Sequence, residues 1–200
     1  MKIIGEKING TRKRVAQAIA ERDAAFIVDL AQKQADAGAA WLDVNAGTMP
    51  AQEPDDLIWL IDTIQAVVDT PISLDSANPK ALSVAVQAVR KTPLINSISG
   101  ERNRLEGVLP LVAGNAAGVI ALLLDDNGIP KDVDGRMTVA RRLLALTPGP
   151  GIARACYGVA AASGRTAVQS GPTTPAQPHS VRSGSRRRSF SLIVVPPTEW

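Results

Sequence analysis

Four short apolar runs each end in residues able to bind a polar ligand. They are Ile3-Ile4-Gly5-Glu6-Lys7-Ile8-Asn9, Trp41-Leu42-Asp43-Val44-Asn45, Ile72-Ser73-Leu74-Asp75-Ser76 and Pro93-Leu94-Ile95-Asn96-Ser97. An ionised carboxylate accepts hydrogen bonds through two oxygens, and an amide both donates and accepts. Together such groups can hold a polar ligand, and a charge-assisted hydrogen bond is strong and directional. The same residue types also form turns and cap helices. Asp75-Ser76 and Asn96-Ser97 could each simply cap the helix that follows. What the capping explanation does not account for is an acid or amide at four successive strand ends.

Groups at strand ends need a frame of parallel strands joined by helices, and the hydrophobic pattern supplies one. Residues 2–8, Trp41–Val44, Pro71–Asp75, Pro93–Asn96 and Gly118–Leu124 read as strands. The run 118–124 is unbroken and apolar, as in a strand buried on both faces. Helices are expected over Arg12–Glu21, Asp23–Ala39 and Glu53–Val68, from Asn78-Pro79 onward, after Gly100-Glu101-Arg102, and over Val133–Leu146. In the second, Phe26, Ile27, Leu30, Ala31 and Ala35 recur at helical spacing. Asp23 is placed as its N-cap and Gly38 near its end. Asp125-Asp126-Asn127-Gly128 signals a turn. Five strands alternating with helices give βαβ units with right-handed crossovers. An open doubly wound sheet alternates in the same way. No G-x-G-x-x-G follows the first strand, which weakens a dinucleotide-binding fold. Polar tips on four different strands favour the (β/α)8 TIM barrel, whose ligand contacts come from many strand ends.

The chain has 200 residues, below the roughly 250 typical of a complete barrel of this kind. Residues 1–147 therefore read as about the first five β/α units. Residues 148–200 read as a separate, low-order tail. The tail holds seven of the fourteen prolines, with abundant Ser, Thr, Gly and Arg, and carries no amphipathic helix pattern. Its one strand-like run is Ser189–Val195. The composition suggests disorder or a stretch translated in a shifted reading frame. It also carries the basic character: six arginines against Glu199, leaving 16 basic and 18 acidic side chains in residues 1–147. A net charge of +3 thus gives no ground for nucleic-acid binding by the barrel. Arg186-Arg187-Arg188 is read as a solvated run, since no aromatic residues interleave with it.

A single cysteine, Cys156, and a single histidine, His179, exclude an intramolecular disulfide, a cysteine zinc site and a two-histidine metal site. No apolar run approaches the roughly 20 residues of a membrane helix. The N-terminus enters a strand-like run without a signal-peptide pattern, so a cytoplasmic protein is expected. Trp41 and Trp59 are assigned to core packing rather than to ring stacking on a ligand.

Taken together, Gly5-Glu6-Lys7-Ile8-Asn9-Gly10, Asp43-Val44-Asn45-Ala46-Gly47, Leu74-Asp75-Ser76, Ile95-Asn96-Ser97 and Gly128-Ile129-Pro130-Lys131-Asp132 resemble the methyltetrahydrofolate:corrinoid/iron–sulfur-protein methyltransferases. The same pterin-binding barrel forms the folate domain of cobalamin-dependent methionine synthase. The resemblance spans residues 1–146. It implies a barrel mouth that binds the pterin of a reduced folate, with transfer of the N5 methyl group to the cobalt of a corrinoid on a partner protein. It assigns Asp75 to the 2-amino/N3 edge of the pterin and Asn96, as the catalytic residue, to N5. It places Asp43, Asn45, Glu6, Asn9 and Ser97 as further pterin-binding positions. It implies methyltetrahydrofolate as donor, a corrinoid (cobalamin) carried by the partner, and no protein-bound metal. The partners implied are a corrinoid protein and a reduced folate, with no membrane and no nucleic acid; homo-oligomer formation stays open.

The family pattern continues with an aspartate–proline pair on a sixth strand, a G-L-S-N segment on a seventh, and an eighth strand. No counterpart to these follows Leu146. Little or no methyltransferase activity is therefore expected of this chain alone. A dihydropteroate synthase would share the barrel, but its N-x-T-P-D-S-F first-strand segment does not match Glu6–Gly10. A non-catalytic folate- or pterin-binding protein is the alternative of a different class.

Overall fold

The structure, a computed structural model, describes residues 3–115 and 118–146. Its strands are β1 (Ile4–Asn9), β2 (Trp41–Asn45), β3 (Ile72–Asp75), β4 (Leu94–Ser99) and β5 (Gly118–Leu122). Its helices are α1 (Lys13–Glu21), α2 (Ala24–Asp36), α3 (Glu53–Gln65), α4 (Pro79–Ala88), α5 (Arg102–Asn115) and α6 (Val133–Leu146). The readings of residues 148–200, including Cys156, His179, the arginine run and Ser189–Val195, lie outside the described residues.

All five strands are parallel and lie in chain order, β1-β2-β3-β4-β5. This order settles the choice of frame. A doubly wound sheet reverses its strand order at a switch point and places helices on both faces. Here every crossover leads to the next neighbour, as in a (β/α) barrel. Five β/α units are thus an α/β fold with the strand order of part of a TIM barrel.

The period-2 alternation of the strands separates two apolar layers. Leu42, Val44, Ile72, Leu74, Ile95, Val119 and Ala121 point to the helices, joining Ile27, Leu57, Leu60, Ile61, Ile64 and Leu82 in the main core. On the other face, Ile4, Leu94 and Ile120 form a smaller cluster with Trp41 and Leu122. That inner face is apolar at the strand starts and polar at the strand ends. Trp41 thus lies in an apolar cluster, and Trp59 packs on the main core, as expected of core residues.

Local signals explain the helix starts. Asp23 accepts a hydrogen bond from the Phe26 N–H at 3.1 Å and caps α2. Asn78 accepts from the Lys80 N–H at 3.1 Å, and Pro79 fills the first position of α4. Asp132 accepts from the Gly135 N–H at 2.7 Å at the start of α6. The junction between α1 and α2 turns on Arg22, whose φ of 54° is left-handed. Its guanidinium lies 2.6 Å from Asp56 and stacks over Trp59, tying the junction to α3.

Several boundaries differ from the sequence pattern. Helix α2 ends at Asp36 instead of Ala39 and α3 at Gln65 instead of Val68, while β5 ends at Leu122 instead of Leu124. Strand β4 runs to Ser99, three residues past Asn96. A register shift between Asn96 and Ile98 lets Ile98 and Ser99 pair with Ala121 and Leu122. Ser97-Ile98-Ser99 carries polar residues typical of a loop, so its pairing with β5 was not visible in its composition.

Candidate functional site

The site is built at the C-terminal ends of β1 to β4 on the inner face. Parallel register places Asn9 beside Asn45, Asp43 beside Ser73, and Asp75 beside Asn96. Alternation along β2 and β3 turns Asp43, Asn45, Ser73 and Asp75 away from the helices. Register and alternation together bring side chains from four separate segments into one polar cluster.

Asp43 sits at its centre and is buried, with 3% of its surface exposed. Its Oδ1 accepts from Ser73 Oγ at 2.6 Å and from Asn96 Nδ2 at 3.1 Å. Burial, and next the charge of Asp75, push the Asp43 carboxyl up to about 7; Glu6 adds to this, and the Ser73 and Asn96 hydrogen bonds oppose it. Asp75 is half-buried and also raised, chiefly by burial. Hydrogen bonds with Asn45 and Asp43 and the charge of Arg104 pull it back, while Glu53 pushes it up. The two carboxyl groups act on each other across the cluster, and like charges close together in a buried space resist ionising together.

A second layer holds the loop after β3. Ser76 donates from Oγ to Glu53 Oε1 at 2.5 Å and accepts there from the Asn78 N–H at 3.0 Å. Arg104 donates to the Ser76 carbonyl at 3.3 Å. The Ser76 N–H donates to the Asn96 carbonyl at 3.1 Å. Glu53, at the first turn of α3, is itself buried. The helix that follows β3 is capped by Asn78 and not by Asp75, so Asp75 is left to the inner face.

The loops after β1 and β2 interlock through two glycines. The Gly10 N–H donates to the Asn45 carbonyl at 2.8 Å. A Cβ on Gly10 would lie 1.8 Å from the Ala46 carbonyl oxygen, and one on Gly47 would lie 2.7 Å from the Gly10 backbone. Gly47 also has a φ of 62°, which favours glycine. This contact fixes Asn9 and Asn45 at the rim. Asn9 Oδ1 accepts from the N–H and Oγ1 of Thr11, at 2.9 and 2.6 Å. The buried side-chain oxygens of Asn45 and Thr48 have no hydrogen-bond partner.

Of the residues singled out in the sequence, Asp43, Asn45, Asp75 and Asn96 share one network. Glu6 lies close enough to act on Asp43. Asn9 sits at the rim, and Ser97 is buried at the β4 register shift. The sequence reading missed Ser73, Glu53 and Arg104. Ser73 left a signal, a hydroxyl two residues before Asp75 in an apolar strand and hence on the same face. Glu53 and Arg104 left none, since acids in a first helical turn and arginines on a helix are common. Among the described residues no group of three His, Cys, Asp or Glu side chains could hold a metal ion, and no helix is long and apolar enough to cross a membrane.

The strand order and the polar cluster at the strand ends define the class: an α/β protein of the barrel type with a polar cluster on its inner face. Residues 5–145 match the family described as pterin binding enzyme, and the chain belongs to that family. It is 40% identical over 146 residues to a methylcorrinoid:tetrahydrofolate methyltransferase of Eubacterium limosum, covering 72% of this chain and 54% of that protein. It is 28% identical over 148 residues to a methionine synthase of Mycobacterium leprae and 26% identical over 148 residues to that of Mycobacterium tuberculosis, each covering 71% of this chain and 12% of the synthase. The chain therefore spans about half the length of the Eubacterium limosum relative.

Proposed function

We propose that the mouth binds the pterin ring of a reduced folate and serves methyl transfer between its N5 and the cobalt of a corrinoid on a partner protein. The observation that carries this reading is the cluster of Asp43, Ser73, Asp75 and Asn96 at adjoining strand ends. Asp75 is the acceptor for the 2-amino/N3 edge, where two N–H donors match two carboxylate oxygens. Asn96 is the residue at N5. Glu6, Asn9, Asn45 and Ser97 complete the rim, and the corrinoid is the second substrate.

A tertiary amine is a poor leaving group, and hydrogen bonding to N5 in its charged form lowers that barrier. The name of the Eubacterium limosum relative has methylcorrinoid as donor and tetrahydrofolate as acceptor, the reverse of the direction expected above. Both directions pass through one transition state, so the same residues serve either. The names of these relatives favour methyl transfer over the dihydropteroate synthase alternative. Residues 1–147 are read as the pterin-binding part and 148–200 as a tail.

Titrating tetrahydrofolate while following tryptophan fluorescence, to which Trp41 on the inner face contributes, tests the binding half. Saturable binding supports the reading, and its absence refutes it. A methylcorrinoid assay on the same sample then separates an enzyme from a non-catalytic binder. Little or no turnover is expected of this chain, and turnover at the pace of a working enzyme would contradict that.

A further inference from the structure

Asp43 is buried and is acted on from three other strands. It faces the Glu6 charge from β1, the Asp75 carboxyl from β3 and the Asn96 amide from β4, while Glu53 of α3 and Arg104 of α5 act on Asp75 from behind. Both hydrogen bonds that Asp43 accepts from neutral side chains land on Oδ1. Neither of these bonds uses Oδ2, and Asp75 acts on Asp43 from the adjoining strand. Asp75 has the Arg104 charge and the Asn45 amide acting on it, whereas the charges that act on Asp43 among the described residues are those of Asp75 and Glu6. A proton on this pair therefore belongs on Asp43, and the negative charge on Asp75.

We infer that Asp43 is a positioning residue of the mouth: as a neutral acid it donates to Asp75, keeping that side chain the ligand's anionic acceptor, and it holds the Asn96 amide with its oxygen toward the ligand. The inference rests on the reading of the mouth as a reduced-folate site and adds a selectivity to it. With one Nδ2 hydrogen committed to Asp43, Asn96 keeps its second N–H and offers Oδ1, an acceptor, on the side away from Asp43. A ligand atom that meets Oδ1 must bear a hydrogen. For a reduced folate, that is N5–H of tetrahydrofolate, or the protonated N5 of its methylated form, in place of the bare amine. Ionising Asp43 would set two carboxylates against each other in a buried space and release Asp75, while the Asn96 N–H would keep its acceptor on Asp43.

The substitution Asp43→Asn tests this without changing shape. Its Oδ1 still accepts from Ser73 and Asn96, and its NH2 still donates to Asp75, so it locks in the bonding of the neutral acid. Tetrahydrofolate is titrated into the full chain at pH 6 and pH 8.5, with infrared spectra of the ligand-free protein over the same range. Wild type should bind about thirtyfold more weakly at pH 8.5, as loss of the neutral form of a carboxyl at about 7 would give. D43N should bind at both values as wild type does at pH 6, and Asp43→Ala should bind weakly at both. A protonated-carboxyl band should fade in wild type as pH passes through neutral and be missing from D43N. A D43N protein with the wild-type pH dependence, or an infrared band unchanged by the substitution, would overturn the inference. If tetrahydrofolate does not bind wild type at all, the folate reading fails, and the infrared band alone decides for or against the Asp43 proton.

Discussion

At the scale of single residues, the polar cluster turns on one buried carboxyl, Asp43. A carboxyl raised by burial binds its proton more tightly folded than unfolded. Stability from Asp43 is therefore full below the unfolded value of about 4, falls as pH rises toward about 7, and then levels off. The slope is at most about 1.4 kcal/mol per pH unit. Urea unfolding from pH 4.5 to 8 should show this decline in wild type and a flatter curve in D43N; parallel curves would contradict the assignment. Asn96→Ala should weaken tetrahydrofolate binding about tenfold, near the 1.4 kcal/mol of one good hydrogen bond, with little effect on the unfolding midpoint. The residue types of this network were visible in the sequence. Its wiring was not, because Asp43 and Asn96 lie 53 positions apart and meet only through strand register.

At the scale of elements, the site depends on loops held at backbone contact. A methyl group on Gly10 would enter the Ala46 carbonyl at 1.8 Å, a backbone clash that no rotamer change can relieve. Gly10→Ala should cost about 2 kcal/mol or more, seen as a lower urea midpoint. A midpoint within error of wild type would mean that the two loops separate freely. Element positions followed closely from the apolar periodicity, and the caps at Asp23 and Asn78 from local chemistry. The end of β4 did not, because Ser97-Ile98-Ser99 is held by pairing to β5 across a register shift. Likewise Glu53 resembles any first-turn acid until Ser76, 23 residues on, donates to it.

At the scale of the whole molecule, the strand order carries the fold, and alternation of strands and helices could not supply it. Sequential order sends each polar strand tip to the side of the next, which is how four separate motifs become one mouth. Among the described residues β1 and β5 each pair on one side only. Unpaired strand edges recruit other strands, so the full chain should self-associate with rising concentration in sedimentation velocity; a single monomeric species across a hundredfold range would contradict this.

The central claim is that Asp75 is the anionic acceptor for a reduced pterin. Calorimetric titration of tetrahydrofolate into wild type and Asp75→Ala at pH 6 tests it most directly. Loss of a charge-assisted pair is worth about 1.5–3 kcal/mol, so D75A should bind about ten- to a hundredfold more weakly while unfolding at a similar urea concentration. Equal affinity of the two proteins would contradict the claim.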